Sequence, residues 1–120
     1  MKTNNIIDSN DITFLTPTDD IESIFEKNYD GEVFSEVVVN FICKFSEEIL
    51  KKTNVKNYPD LVALAFWMRK SNISRLEREF IEKNKNNLKV PLGNVIHFAP
   101  SNVDTIFIYS LFISLLVGNS

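Results

Sequence analysis

The chain has 120 residues, 44% of them hydrophobic and 24% charged, a composition that fits one ordinary globular domain and excludes extended disorder. Its formal net charge is -3, and its lysines and arginines are scattered among carboxylates, which excludes the basic footprint of a nucleic-acid-binding protein. The single cysteine excludes an internal disulfide, and no apolar signal core follows Met1, so we expect a cytoplasmic protein.

The first thirty residues carry weak structural signals. The mixture of polar and apolar residues at 4–15 is compatible with a short hairpin. Residues 16–20 then provide an N-cap residue, a proline at the first helical position and two carboxylates in the first turn. These features predict a short helix that ends near residue 27, followed by a turn at 28–31.

Apolar residues at helical spacing predict the strongest helix of the chain across residues 34–49. The stripe consists of Phe34, Val38, Phe41, Ile42, Phe45 and Ile49. Another helix begins at residues 58–60, and we expect an interruption at 71–73. A more polar helix should then cover residues 74–85, because its opening serine and the glutamate three positions later have capping-box spacing.

Two isolated residues have a structural and a functional interpretation. Cys43 lies nearly opposite the centre of the apolar stripe, and no neighbouring His, Lys or loop glycine is placed to lower its pKa. A small hydrophobe at a helix contact is therefore favoured over a nucleophilic thiol. His97 stands alone in an apolar run, which favours a hydrogen-bonded core residue over a metal or heme ligand.

A strand, a loop and a helix are predicted at the end of the sequence. The apolar run at residues 94–98, bounded by a glycine and a proline, is typical of a strand buried on both faces of a parallel sheet. Loop 99–102 follows its carboxyl end, where open α/β sheets bind ligands. Residues 104–117 form an apolar helix that is too short to span a membrane, since a span needs roughly 20 residues.

A strand followed by a helix is the first half of a βαβ unit, whose parallel partner strand comes next. We therefore interpret the chain as the front end of a larger enzyme of the α/β class. Residues 1–90 form an N-terminal helical region, and residues 91–120 form the first strand, loop and helix of an incomplete nucleotide-binding domain. Polypeptide outside this sequence is expected to cover the apolar helix.

Asn102 has the clearest chemical use in the predicted loop. Its carboxamide can donate a hydrogen bond to a developing oxyanion without changing charge. Helix capping and turn formation explain an asparagine here equally well. We expect Asp104 to cap the following helix through its carboxylate, although a negative charge two residues from an oxyanion donor also disfavours an anionic intermediate.

The pattern PxGxVxHxxPSNV at residues 91–103 continues with Tyr109 and Ser110 and with LLxGNS at 115–120. This pattern resembles the Lux-type acyl-CoA reductases, the reductase component of the fatty acid reductase complex of bioluminescent bacteria and its relatives. The family belongs to the aldehyde dehydrogenase superfamily. Residues 58–70 are similar to the helical region that precedes the strand in that family, so the resemblance covers about residues 34–120, with the carboxyl-terminal motif as its specific part.

The resemblance implies an aldehyde dehydrogenase-like fold and a thioester reductase activity. In that family a cysteine thiolate takes the acyl group from fatty acyl-CoA or an acylated partner protein, and NADPH delivers hydride to release an aldehyde. Asn102 matches the superfamily asparagine of the oxyanion hole. Pro100 and Ser101 lie in the same loop, where the resemblance implies cofactor contacts. An acyl-protein synthetase and an oligomeric assembly are the implied partners.

The nucleophilic cysteine, the general base and the remaining cofactor contacts of the family have no counterparts in this sequence, and Cys43 matches no family motif. Because covalent catalysis needs all of these groups together, we expect the isolated chain to be inactive. Two other interpretations stay open. The chain is then either a small helical interaction module, whose apolar helix docks on a partner or on itself, or a gene fragment.

Overall fold

The structure, a computed structural model, describes residues 31–119. These residues form four α-helices and one 3₁₀ turn, and they contain no strand. The elements in chain order are α1 (Glu36–Lys51), the 3₁₀ turn (Val55–Asn57), α2 (Pro59–Trp67), α3 (Lys70–Lys83) and α4 (Ile106–Leu116). The hairpin and the short helix predicted before residue 28 lie outside the described residues.

Helix α1 confirms the strongest helical prediction, although it begins two residues later than the apolar stripe. Ser35 is its N-cap, and the Ser35 side chain accepts a hydrogen bond from the Val38 amide at 3.4 Å. Phe34 precedes the cap with a φ of 52°, a left-handed conformation that cannot continue into the helix. Its amide instead donates to the Leu116 carbonyl at 2.6 Å, which joins the start of α1 to the end of α4.

Helix α1 contacts each of the other three helices and organises the core. The buried cluster draws on all four helices and consists of Ile42, Leu64, Met68, Ile73, Phe112 and Leu116. Each such side chain contributes roughly 1.5–3 kcal/mol by leaving water. One core therefore includes side chains from both of the predicted regions, 1–90 and 91–120.

The buried face of α1 is rotated away from the centre of the predicted stripe. Ile42 is fully buried and Ser46 nearly so, whereas Phe41 and Phe45 are 53% and 37% exposed. The Ser46 hydroxyl donates to the Ala65 carbonyl of α2 at 2.7 Å, so a polar residue lies inside the helix contact with its hydrogen bond made. Periodicity of apolar residues alone could not identify this serine as a core position.

The predicted interruption at residues 71–73 is wrong, because α3 begins at Lys70 and continues through them. Arg69 is the N-cap residue, and the Asn72 side-chain amide donates to the Trp67 carbonyl at 2.7 Å, which closes the turn between α2 and α3. Ile73 is fully buried, so core packing favours helix at this point. Ser74 consequently lies inside α3 and does not open it.

The strand predicted at residues 94–98 is also absent, since residues 84–105 are neither helix nor strand. A strand is defined by ladder hydrogen bonds to a neighbour, and residues 31–119 contain no neighbouring strand. The side chains still alternate between half-buried and exposed along residues 91–98, as in extended backbone with one face on the helices. Burial on both faces is contradicted by Phe98, which is 94% exposed.

Helix α4 confirms the predicted apolar helix, and it is covered on one side only. Phe112, Ser114 and Leu116 are buried, whereas Phe107 and Ile113 are about half exposed. No helix within residues 31–119 is long and apolar enough to cross a membrane. The described part of the chain is therefore a mostly helical assembly that leaves a broad apolar surface uncovered.

Candidate functional site

The loop at residues 98–105 leads from the half-buried segment into α4. Residues 98–104 are all exposed, and Thr105 is buried as the N-cap residue of α4. The Ile106 amide donates to the Val103 carbonyl at 3.3 Å, so the chain turns tightly before the helix begins. The loop thus lies at the amino terminus of α4, where the helix dipole favours negative charge.

Asn102 lies in the turn at the tip of this loop, and its side chain is exposed. The turn-forming role predicted for it is therefore confirmed. The capping role is not, because Thr105 is the N-cap residue and α4 has no side-chain cap hydrogen bond. The carboxamide of Asn102 is left facing solvent, where it can donate to a ligand, and its oxyanion role stays a prediction.

Asp104 does not cap α4, which contradicts the prediction for its carboxylate. The helix begins one residue later, and Asp104 is an exposed turn residue. It is the charged residue of the loop at residues 98–105, which contains no Lys or Arg. A negative group beside Asn102 opposes an anion there, unless the helix dipole or a cation from elsewhere offsets it.

The described residues do not fit NADPH as a complete site. Pro100 and Ser101 are exposed beside Asn102, as expected for residues that contact a ligand. The phosphates of the cofactor require cations or a glycine-rich helix start, however, and loop 98–105 has neither. These residues therefore do not form a cofactor site by themselves.

His97 forms a hydrogen bond that ties the irregular segment to α4. Its Nδ1 lies 2.8 Å from the Ser110 hydroxyl oxygen. This contact shows that His97 is hydrogen-bonded, but the residue is only half-buried and lies outside the core, so the predicted core position is wrong. Within residues 31–119 there is no cluster of side chains able to hold a metal. Sequence reasoning missed Ser110, although the Tyr109-Ser110 pair had already been singled out as part of the motif.

The glycine of the LLxGNS motif lies where a larger residue would clash with its neighbours. Gly118 has a φ of 85°, and a Cβ atom there would lie 2.7 Å from the Pro91 Cγ and 2.9 Å from the Gly31 carbonyl oxygen. Asn119 completes the contact, because its side-chain oxygen accepts a hydrogen bond from the Leu92 amide at 2.6 Å. The end of α4 therefore holds residues 91 and 92, the start of the candidate segment, in place.

Cys43 is a packing residue. It is partly buried beside the core cluster, and burial is the main reason that the pKa of its thiol lies above the ordinary value. The expectation that no lysine lowers this pKa is wrong, because the cation of Lys70 does so. The carboxylate of Glu47 raises the pKa, and both charges act by less than burial does. The thiol is protonated at neutral pH, so it has none of the activation that a nucleophile needs.

Comparison with known proteins finds no family model, no curated protein and no solved structure that matches the chain. The resemblance to the Lux-type reductases therefore depends on residues 91–103 and 115–120 and on the helical residues that precede them. The geometry of those residues is the remaining basis for a functional proposal.

Proposed function

We propose that the chain is the amino-terminal part of an NADPH-dependent acyl-CoA reductase, which converts a long-chain fatty acyl thioester to an aldehyde through a cysteine acyl-enzyme. The observation that carries the proposal is the exposed PSNV turn, in which Asn102 lies three residues before Thr105, the N-cap residue of α4. Such a turn is suited to receive a negatively charged oxygen where the helix dipole offsets the charge of Asp104.

The proposed role of Asn102 follows from the chemistry of thioester reduction. Attack by a thiolate on the thioester carbonyl moves negative charge onto the carbonyl oxygen. A carboxamide N–H and the dipole of a helix start stabilise that charge more than they stabilise the neutral carbonyl. Pro100 and Ser101 would then line the cofactor side of the same loop.

The exposed segment before the turn supports the α/β architecture in this proposal. Ile96 and Phe98 are 64% and 94% exposed, although they belong to the apolar run at residues 94–98 that the sequence assigns to a buried strand. An apolar segment of this kind is stable when neighbouring strands cover it on both sides. The proposed aldehyde dehydrogenase-like sheet would supply those strands from polypeptide outside the described residues.

The test uses the reading frame extended past the codon for Ser120, expressed as one protein and assayed with tetradecanoyl-CoA and NADPH. We expect aldehyde release, and we expect Asn102→Ala to lower kcat about a hundredfold or more with a small change in KM. Asn86→Ala is the matched control, since Asn86 is an exposed asparagine outside the motif, and its kcat should be unchanged. Equal activity of the Asn102 variant and wild type would contradict the oxyanion role.

A second candidate, a helical interaction module, is favoured by the exposed side of α4. Phe107 and Ile113 are 49% and 51% exposed on a helix that carries no charged residue. Light scattering on the purified chain tests this function. A concentration-dependent dimer would support a module if Ile113→Asp abolishes it and Val37→Asp leaves it intact. A monomer at all protein concentrations would exclude self-association.

A further inference from the structure

A groove lies between the carboxyl-terminal half of α3 and the residues that lead into α1. Its volume is about 400 Å³, which is within the range of small-molecule binding sites. The groove combines apolar side chains with charged ones, and the residues that matter here are Phe34, Glu77, Phe80, Ile81, Lys85 and Lys89. A neighbouring depression shares Phe80 and Lys89 and extends to Pro91 and Val117, so the concave surface is continuous.

We propose that this groove binds an aromatic monocarboxylate, with the ligand ring on the two phenylalanines and its carboxylate at the two lysines. The proposal does not depend on Asn102 or on reductase activity. It depends on three observations: an aromatic floor, a hydrogen-bonded turn that carries a cation, and a net positive charge. An anion with an aromatic body matches all three, because it covers ring surface and pairs with the lysines.

The floor of the groove is a pair of phenylalanine rings. The ring centroids of Phe34 and Phe80 lie 5.8 Å apart, and the ring planes are tilted at 53°. Both residues are half-buried, so part of each ring stays open to the groove. The Phe34 amide donates to the Leu116 carbonyl, which fixes the backbone on that side. Tilted rings offer a face and an edge to a third aromatic ring, an arrangement that is worth more than its buried area alone.

The turn after α3 holds Lys85 at the edge of the groove. The Asn84 side-chain amide donates to the Phe80 carbonyl at 2.7 Å, and the Asn87 backbone amide donates to the Asn84 carbonyl at 3.0 Å. These bonds close the turn, so the backbone that carries Lys85 is fixed before a ligand arrives. The bond to the Phe80 carbonyl also occupies one of the last carbonyls of α3, whose partial negative charge opposes an anion.

The charged residues of the groove favour a single negative charge. The two cations of Lys85 and Lys89 line it together with the carboxylate of Glu77, which gives a net formal charge of +1. The ion pairs within residues 31–119 join other residues, so neither lysine is neutralised by them. Glu77 lies two turns before Lys85, which is about 12 Å along a helix. A carboxylate at the lysines therefore lies closer to the cations than to Glu77.

The test is a titration of the ¹⁵N-labelled full chain with 2-naphthoate, followed by amide chemical shifts, and 2-naphthamide serves as the uncharged ligand of the same shape. We expect saturable shifts at the groove residues with a Kd of about 1 mM, as a ligand of about a dozen non-hydrogen atoms allows. 2-Naphthamide should bind about fivefold more weakly, because it cannot pair with the lysines. Equal binding of the two ligands, or 2-naphthoate shifts that fall outside the groove, would overturn the proposal.

Removal of the lysine charges provides the second measurement. Lys85→Gln/Lys89→Gln should weaken the binding of 2-naphthoate about fivefold and leave that of 2-naphthamide unchanged. Lys44→Gln/Lys56→Gln is the matched control, since both lysines are exposed and outside the groove, and it should change neither affinity. If the control weakens 2-naphthoate as much as the groove variant does, the charge of the whole chain and not the groove causes the binding, and the proposal fails.

The apolar contact is tested at Ile81, which is 56% exposed, so its substitution leaves the core intact. Ile81→Ser should weaken both ligands about threefold, because part of their apolar contact is lost. Val37→Ser is the matched control, since Val37 is 80% exposed and lies outside the groove, and it should weaken neither ligand. Unchanged binding of both ligands to Ile81→Ser would show that the aromatic body does not lie in the groove.

Discussion

The helical core and the segment at residues 84–105 contain similar apolar side chains in opposite environments. Ile42, Leu64 and Met68 have no exposed surface, whereas Leu88 and Phe98 are more than 90% exposed. The difference follows from how each backbone makes its hydrogen bonds. A helix satisfies its own amides and carbonyls locally, but an apolar strand requires a neighbour. The core side chains are therefore buried within residues 31–119, whereas the apolar side chains of the segment stay largely exposed.

The largest expected effect comes from removing a core side chain. Leu64→Ala should lower the free energy of unfolding by about 2–5 kcal/mol, because the buried leucine leaves a cavity. Leu92→Ala is the matched control in the exposed segment and should change it by less than about 0.5 kcal/mol. Urea denaturation measures both. Similar losses for the two variants would mean that the segment is packed in solution.

Two glycines with positive φ test the contact between the end of α4 and the segment at residues 84–105. Gly118→Ala should destabilise the fold by about 2–3 kcal/mol, since its Cβ would collide with the Gly31 backbone and with Pro91. Gly93→Ala meets open space and should cost only about 1 kcal/mol for the left-handed conformation. Thermal unfolding at equal protein concentration would reveal the order, and a larger loss at Gly93 would contradict it.

Two helical serines test whether burial decides the value of a hydrogen bond. Ser46→Ala leaves the Ala65 carbonyl buried without its donor and should cost about 1–2 kcal/mol. Ser110→Ala removes an exposed bond to His97, for which water substitutes, and should cost less than about 0.5 kcal/mol. Urea titrations of the two variants give the difference. Equal costs would show that the His97 contact is as important as the core contact.

The smallest effects concern the pKa of Cys43. As the single cysteine of the chain, it can be followed by iodoacetamide alkylation, and its rate should rise at higher pH than for a free thiol. Lys70→Met should raise the pKa further and Glu47→Gln should lower it, each by less than burial raises it.

The raised pKa of the Cys43 thiol should also make the stability of the fold depend on pH. Because the folded state holds the thiol proton more tightly than the unfolded state, this contribution is present below the ordinary pKa of a thiol and is lost as the pH rises through the raised pKa of the folded state. Comparison with Cys43→Ser over pH 7–10 isolates it. A Cys43 alkylation rate that saturates below pH 8 would contradict the direction of the shift.

The helices were predictable because their signals are local. The apolar spacing that leads to Ile49, and Pro59 at the first turn of α2, led to helices that the structure confirms. The two failures have tertiary causes. Polar residues at Ser71 and Asn72 suggested a break, but burial of Ile73 favours continued helix. Ser74 and the glutamate three positions later have the spacing of a capping box, but Ser74 lies inside α3 and Arg69 is the N-cap residue.

The loop that carries Asn102 was predictable from the sequence, but the contacts around it were not. The sequence identified Asn102 and the loop around it, and the structure places this residue in an exposed turn. It did not identify Ser110 or Asn119 as partners of His97 and Leu92, because those contacts join residues 13 and 27 positions apart. The strand was mispredicted because its burial depends on neighbours that residues 31–119 do not contain.

The close contact of Gly31 with Gly118 has a consequence for the connectivity of the fold. The two ends of the helical unit meet in space, and the amide of Phe34 donates to Leu116 beside them. A short linker between residues 31 and 118 would therefore close the unit into a ring of polypeptide. New termini opened within residues 84–105 would then give a circular permutant with the same helix packing.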